Sequence, residues 1–505
     1  MERFDMTHSI LGDMDIDDFR RHGHEIIDWI ADYFEHPERY PVLSRSEPGD
    51  IKAQLPTNPP THPEAMSDIM RDFDAIIMPG ITHWNHPAFF AYFGITGSAP
   101  GVLAEFLTAA LNVNGMLWKT SPAATELEEV TLDWLRQMIG LPDDFKGVIM
   151  DTASMSSMTA IAAARERLGL DIRRRGMAGR SDLPRLIVYT SAQAHSSIEK
   201  GAIVLGIGQE NVRKIPVDDN FRMNVDALRQ AITDDIAAGH LPLCVVATVG
   251  TTSTTSIDPV PEIAAICREH KLWLHVDGAY GGVAAIVPEM RHVLAGAEFA
   301  DSVVINPHKW LFTPIDLSAF YIRDPHILRQ AFSILPEYLK TAEQDSVTNY
   351  MDWGVQLGRR FRALKLWMVL RTFGAEGCAA RLREHIRIAQ TVAADIDADP
   401  DLERLAPTPF STICFRVKPH DLTTGNDDID VETYLNTLNE ATLNAVNATG
   451  EVYMSHTKLN GRYTIRIAVG NIRTTEEHVR RAVALIKAHA SRLDGEMRVG
   501  IESAK

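Results

Sequence analysis

LWLHVD (residues 272–277) is apolar apart from His275 and stops on an aspartate. Three further runs have the same form: LIVYT (186–190), CVVATVG (244–250) and SVVIN (302–306). These three are rich in Val and Ile, all four runs end at Gly, Thr, Asp or Asn, and helix-length intervals separate them. Runs that do not alternate polar with apolar suit strands covered on both faces. Spaced in this way, they predict a mostly parallel α/β sheet. The same alternation continues from about residue 90 to 370, with its clearest helices at 154–168 and 260–270.

The flanks read differently. Residues 15–35 predict an amphipathic helix, because Ile26, Ile27, Ile30, Tyr33 and Phe34 share one face. Pro37, Pro41, Pro48, Pro56, Pro59, Pro60 and Pro63 follow in a connector that favours extended chain. Such an arm has few ways to form a core of its own, so it is expected to pack on the main body or on a partner subunit. Beyond about residue 370, Cys414-Phe415-Arg416-Val417 alternates, and 452–458 and 463–469 flank Asn460-Gly461, a hairpin signal. Thr474 and Glu477 have capping-box spacing for a helix running to about Ala488. The expected organisation is an N-terminal helical arm (1–90), a large α/β domain (91–370) and a small C-terminal α+β domain (371–505).

Composition narrows the function. With 505 residues, 45% hydrophobic and 23% charged, the chain is globular and long enough for several cores. Its formal net charge of -17 repels phosphate backbones and anionic lipid, so neither nucleic acid nor a membrane is an expected partner. No run of 18 apolar residues occurs, and the opening MERFDMTHSI lacks the character of a signal peptide. Cys244, Cys267, Cys378 and Cys414 are far apart with no CxxC pair, which fits reduced thiols in a cytoplasmic protein. His83 and His86 are spaced like metal ligands, yet no acidic partner stands nearby, and no metal is expected.

The chemistry collects beyond the apolar runs. His195 follows the first, Thr252 the second, Asp277 ends the third, and His308-Lys309 follow the fourth. Ligands of open α/β sheets bind outside the carboxyl ends of the strands, so these residues are placed to converge. Taken singly, each has a plainer reading as a cap, a structural hydrogen-bonder or a solvated lysine. Together they supply an amine, a carboxylate, two imidazoles and a hydroxyl. Pyridoxal phosphate (PLP) needs such an amine to bond it and an acid to keep its pyridine nitrogen protonated. Lys309, flanked by Trp310 and Leu311, offers the first and Asp277 the second. Asp151-Thr152-Ala153-Ser154 leads into a helix whose free N–H groups and hydroxyls suit a phosphate. Gly206-Ile207-Gly208 does not complete GxGxxG, since Asn211 stands in the third glycine's place, so a dinucleotide is not indicated.

Asn306-Pro307-His308-Lys309-Trp310, with His275-Val276-Asp277-Gly278-Ala279-Tyr280 upstream, resembles the PLP-dependent aromatic-L-amino-acid decarboxylases, the group II family of dopa, tyrosine and tryptophan decarboxylases. The likeness extends through His86-Pro87, residues 89–93, 121–128, 193–197, 250–253 and 357–367, and spans roughly 15–490. It implies the aspartate-aminotransferase fold (PLP fold type I), with a seven-stranded, mostly parallel sheet. It also implies a homodimer embraced by the N-terminal helices.

By matching position, Lys309 bonds the cofactor and Asp277 partners the pyridine nitrogen. His195 stacks on one ring face with Ala279 on the other, and Thr252 lies beside the ring. Ala153, Ser154, Asn306 and His308 hold the phosphate, and Tyr338 returns a proton to the substrate after carbon dioxide leaves. Trp84, Tyr92 and Phe93 form an aromatic substrate wall. Ile95 replaces a threonine that binds a ring hydroxyl in the animal dopa enzymes, although Thr96 is adjacent. Asn114 and Met116 take the places of partner-subunit contacts, and Gly358 leaves room for a larger ring. A pocket without the hydroxyl partner favours phenylalanine or tryptophan over dopa. Related aldehyde synthases often change the loop tyrosine or the stacking histidine. Tyr338 and His195 are both retained here, which favours simple decarboxylation.

Overall fold

The four apolar runs all become strands of one sheet. The computed structural model describes residues 12–334, 339, 341–343, 346–422 and 430–503. The large sheet contains β1 (Lys146–Met150), β2 (Leu186–Ser191), β3 (Val212–Ile215), β4 (Leu241–Thr248), β5 (Trp273–Asp277), β6 (Ser302–Ile305) and β7 (Ser318–Ile322), in the order β1-β7-β6-β5-β4-β2-β3. Six strands run one way, and β7 lies antiparallel to both its neighbours. The carboxyl ends of β1, β2, β4, β5 and β6 therefore open on one side.

Both faces are covered, which is why the strands lack alternation. Along β4, Val245 and Ala247 enter one core while Cys244 and Val246 enter the other. Helices Ala153–Arg167, Ser197–Val204, Val225–Ala237 and Val260–His270 make the crossovers. The sequence placed the first at 154–168 and the last at 260–270, within a residue of what is seen.

The second sheet is antiparallel, in the order β10-β11-β9-β8: β8 (Leu402–Arg404), β9 (Thr412–Val417), β10 (Ser455–Leu459) and β11 (Arg462–Ala468). Asn460 and Gly461 join β10 to β11 with φ of 51° and 81°, the double positive φ that a two-residue hairpin turn needs. Helices Val431–Ala448 and Glu476–Ser503 pack on this sheet.

The capping box expected at Thr474/Glu477 is shifted by one residue. Thr474 Oγ1 donates instead to the Pro87 carbonyl at 2.6 Å, while Thr475 Oγ1 and its N–H pair with His478 Nδ1 at 2.8 and 3.1 Å. The helix also runs past Ala488 to Ser503, because Leu493 and Met497 continue its apolar face.

At the other end, the arm helix spans Ile16–Glu35, and the Asp15 carboxylate accepts the N–H groups of Asp17 and Asp18. None of its residues is buried. Tyr33 bonds His83 Nδ1 at 3.0 Å, and Arg473 sits 4.3 Å above Phe34, while Ile16, Phe19 and Ile27 stay exposed. His83 is thus a docking residue of the arm. His86 Nδ1 accepts the Ala88 N–H at 3.0 Å. Among the described residues no helix is long and apolar enough to cross a membrane.

Candidate active site

At the carboxyl ends of β4, β5 and β6 lies a cavity of about 180 Å³. Its wall contains all nine residues that the sequence assigned to the cofactor: Ala153, Ser154, His195, Thr252, Asp277, Ala279, Asn306, His308 and Lys309. Asp277, Ala279, Asn306 and His308 are buried and form the floor, while Ser154, His195 and Thr252 stand exposed at the rim.

Strand geometry fixes the floor. Asp277 is the last residue of β5, in register with Thr248 of β4 and Val304 of β6. Its Oδ1 accepts the Ala279 N–H at 3.1 Å, and no bond to Oδ2 is made among the described residues. Gly250, at φ 91°, lets the next turn pass close by, since a Cβ there would meet the Gly281 nitrogen at 2.9 Å.

Charge is poised rather than neutralised. Lys309 keeps some access through the cavity, yet protein surrounds its ammonium closely enough that burial lowers its pKa, an effect Asp277 opposes. His195 is also held below the ordinary imidazole value, first by loss of water at its inner edge and then by the Lys309 ammonium. Its Nδ1 faces the Ser197 hydroxyl at 2.9 Å and accepts the Ser197 N–H at 3.2 Å. Burial pushes His308 down to about 4, so this ring is neutral at physiological pH.

The polar groups of the wall fit a phosphate-bearing aldehyde. His308 Nδ1 accepts the Leu317 N–H at 2.9 Å, so its Nε2 carries the proton. That N–H meets the Asn306 NH2 at 3.4 Å, two donors head-on, while Asn306 Oδ1 is buried with no partner among the described residues. Exchanging the amide's O and N, which hydrogen-bond logic rather than atom shape decides, satisfies His308 and frees the NH2 for the cavity. The Thr248 hydroxyl is likewise buried and unpartnered. Ala153 and Ser154 open the helix Ala153–Arg167, and no side chain caps it. An amine, a carboxylate, uncapped helix N–H groups and unspent hydrogen-bonding groups thus share one small space.

The aromatic residues divide. Phe93 lines the cavity, stacked on Tyr280 at 3.9 Å, and Tyr280 stacks in turn on Trp310 at 4.9 Å. Trp84 and Tyr92 do not line it; they stack on each other at 5.7 Å, and the Tyr92 hydroxyl meets that of Tyr453 at 3.1 Å. Tyr92 has φ 54° and lies in the bend at 91–93 that separates it from Phe93. Ile95 is half-buried outside the cavity wall. Asn114, Met116 and Gly358 gather elsewhere. Asn114 Oδ1 accepts the Arg359 N–H at 2.9 Å, Met116 lies at its Nδ2, and Asn114 and Gly358 are exposed. Tyr338 lies outside the described residues.

Thr152, from the stretch that suits a phosphate, also lines the cavity, as do Ser197, Thr248, Gly250 and Tyr280, which had no assigned role. Thr248 carried a usable signal, since it ends an apolar run beside the one that Asp277 ends.

One buried ion pair braces this end of the sheet. Arg359 donates to Glu128 at 2.6 Å and to the Ile149 carbonyl at 2.9 Å, and Glu128 accepts the Ile149 N–H at 2.8 Å. Arg359 also lies 4.6 Å from the Tyr350 ring centroid. Replacing Glu128 by Met strands a buried guanidinium and is expected to cost about 3–5 kcal/mol, read as the urea midpoint. A Glu128→Met, Arg359→Met double variant recovers part of that loss. A single variant that unfolds at the wild-type midpoint would remove the pair from the stability argument.

Residues 48–418 match the pyridoxal-dependent decarboxylase conserved domain. A phenylacetaldehyde synthase from Rosa hybrid cultivar is 41% identical over 487 residues, covering 94% of each chain. Tyrosine/DOPA decarboxylase 2 from Papaver somniferum is 41% identical over 507 residues, covering 95% of this chain and 94% of the other. The solved structure of Oryza sativa TDC with PLP and tryptamine superimposes with a TM-score of 0.90 at 36% identity, over 95% of this chain and 99% of that one. The large mixed sheet and its flanking helices are thus the aminotransferase-like architecture of PLP fold type I. The chain is an enzyme of the PLP-dependent group II, or aromatic-amino-acid, decarboxylase family.

Proposed function

We propose that this protein removes the α-carboxylate of an aromatic L-amino acid, releasing carbon dioxide and the arylalkylamine. The observation that carries the reading is the meeting of Lys309, Asp277 and the polar wall in one cavity beside Phe93 and Tyr280. Bound PLP supplies a ring that accepts the electron pair left on Cα when the carboxylate departs. The chain's own residues do the rest. Lys309 would hold the cofactor through its amine. Asp277 would keep the pyridine nitrogen protonated, and His195, Ala279 and Thr252, which line the same cavity, would hold the cofactor ring. Ala153, Ser154 and Asn306 would hold the phosphate, with neutral His308 acting through its hydrogen bond to the Asn306 amide. Tyr338, with His195, delivers the proton to Cα.

Ile95 in place of a ring-hydroxyl partner favours phenylalanine or tryptophan over dopa, because a buried hydroxyl without a partner is penalised. Amine formation from the four aromatic amino acids, compared as kcat/KM, tests this. A dopa preference overturns it. The second reading, oxidative formation of an aldehyde, is suggested by the name of the Rosa relative. Retention of His195 and Tyr338 supports simple decarboxylation instead. One amine per carbon dioxide is the expected stoichiometry, whereas peroxide and aldehyde in equal amounts refute it.

A homodimer completes the proposal. Leu103, Phe106, Leu107 and Leu111 occur at i, i+3, i+4 and i+8 of helix Ala99–Leu111, and all four are exposed, as are Ile16 and Phe19 of the arm. In that dimer Asn114 and Met116 would take the partner-subunit contacts that their positions imply. Sedimentation at micromolar concentration is expected to give twice the 56.1 kDa chain mass. A Phe106→Glu, Leu107→Glu variant is expected to sediment as a monomer.

A further inference from the structure

Arg466, in the middle of β11, is 4% exposed and has no carboxylate within ion-pair distance among the described residues. Burial lowers its pKa for the same reason, since protein has replaced water and supplies no counter-charge. Its hydrogen bonds go to two turns that are far apart in sequence. Nε donates to the Ser253 carbonyl at 2.8 Å and Nη2 to the Thr252 carbonyl at 3.0 Å. Nη1 donates to the Ser455 hydroxyl at 3.0 Å and to the Tyr92 carbonyl at 3.4 Å.

Those turns carry Thr252 and Phe93 to the cavity wall. The guanidinium carbon also lies 5.4 Å from the Phe93 ring centroid, while Lys309 Nζ lies 5.5 Å from it. A cross-strand row backs the arrangement, because Ser455 and Cys414 flank Arg466 in register. Cys414 Sγ donates to the Ser253 carbonyl at 3.3 Å, and Ser455 Oγ accepts the Tyr92 N–H at 3.1 Å. The Tyr92 turn has the positive φ that needs such fixing.

We infer that Arg466 is a positioning residue for the reaction: its planar fork ties the Tyr92–Phe93 and Thr252–Ser253 turns to the four-stranded sheet and thereby sets the cavity wall. Only a guanidinium spans this set of acceptors, since an ammonium is a compact donor that cannot reach carbonyls on two turns at once. The inference rests on assigning the cavity to the cofactor, which substitution of Lys309 tests separately.

In the holoenzyme, Arg466→Lys keeps the charge and loses the fork. It is expected to lower kcat by about 10- to 100-fold, as misplacement by a fraction of an ångström to one ångström does, with KM changed less than about threefold. In cofactor-free protein, the same variant is expected to bind added PLP about tenfold more weakly and to show altered near-ultraviolet dichroism from the Phe93–Tyr280–Trp310 stack. Ser455→Ala removes one tie to each side and needs no refolding of the core. It is expected to move kcat and PLP affinity the same way, by about threefold. Wild-type kcat and PLP affinity in Arg466→Lys would show that charge alone matters and overturn the inference. Wild-type values in Ser455→Ala overturn it too.

Discussion

Replacing Lys309 by alanine is expected to lower kcat by at least about 10⁴-fold, the scale seen when a covalent catalytic group is deleted. The same substitution is expected to abolish the visible absorption that the lysine-bonded cofactor gives. The fold should survive. Lys309 makes no salt bridge among the described residues, and burial already disfavours its charge, so alanine removes a strained ammonium rather than a bracing contact. PLP should still enter, held by the groups proposed for its phosphate at 153–154, 306 and 308, but it should dialyse away. Reduction with borohydride followed by peptide mapping checks the covalent site, which in the wild-type protein should be the peptide carrying Lys309. A second effect has a definite sign. The Lys309 ammonium is one of the groups that holds His195 down, so in cofactor-free Lys309→Ala the imidazole should titrate at higher pH. Turnover close to wild type, or a cofactor bonded to another lysine, would remove the central assignment.

How far such residues can be read from sequence depends on whether their position is set locally. His195, Asp277 and Lys309 follow apolar strand runs, and the parallel arrangement of those strands carries their ends to one side, so topology alone gathers them. The strands missing from that reading are those with weak local pattern. In β1, KGVIM opens on an exposed lysine and a glycine, and β3, VRKI, is an edge strand with two exposed cations. β7 is fully buried but reverses direction, which no property of SAFYI announces. The aromatic wall shows the limit sharply. Trp84, Tyr92 and Phe93 look equivalent as residues, but the positive φ at Tyr92 sends Phe93 to the cavity and leaves Tyr92 outside it. Thr474 and Thr475 are equally good caps by type, and the Pro87 carbonyl, 387 positions away, decides between them. Arg466 is the extreme case. It stands among the apolar residues of β11, and its acceptors at Thr252 and Ser253 are more than 200 positions distant.

Asp277→Asn separates cofactor attachment from cofactor activation. Asparagine retains an oxygen for the Ala279 N–H, so the turn after β5 is expected to keep its shape. It loses the negative charge beside a protonated pyridine nitrogen. At about 4 Å and an effective dielectric of about 20, that pairing is worth about 4 kcal/mol. At about 1.4 kcal/mol per tenfold, kcat should fall by about 10³-fold. The visible absorption should persist, because Lys309 is untouched, and this distinguishes the variant from Lys309→Ala, which loses both signals. The cofactor-free protein gives an independent reading. Asp277 opposes the downward push that burial exerts on Lys309, so without it the amine pKa falls further. Labelling of that amine by an acylating reagent should then set in at lower pH than in wild type. If turnover stays within about threefold and the labelling curve does not move, Asp277 is a turn residue and the electron sink must be maintained by another group.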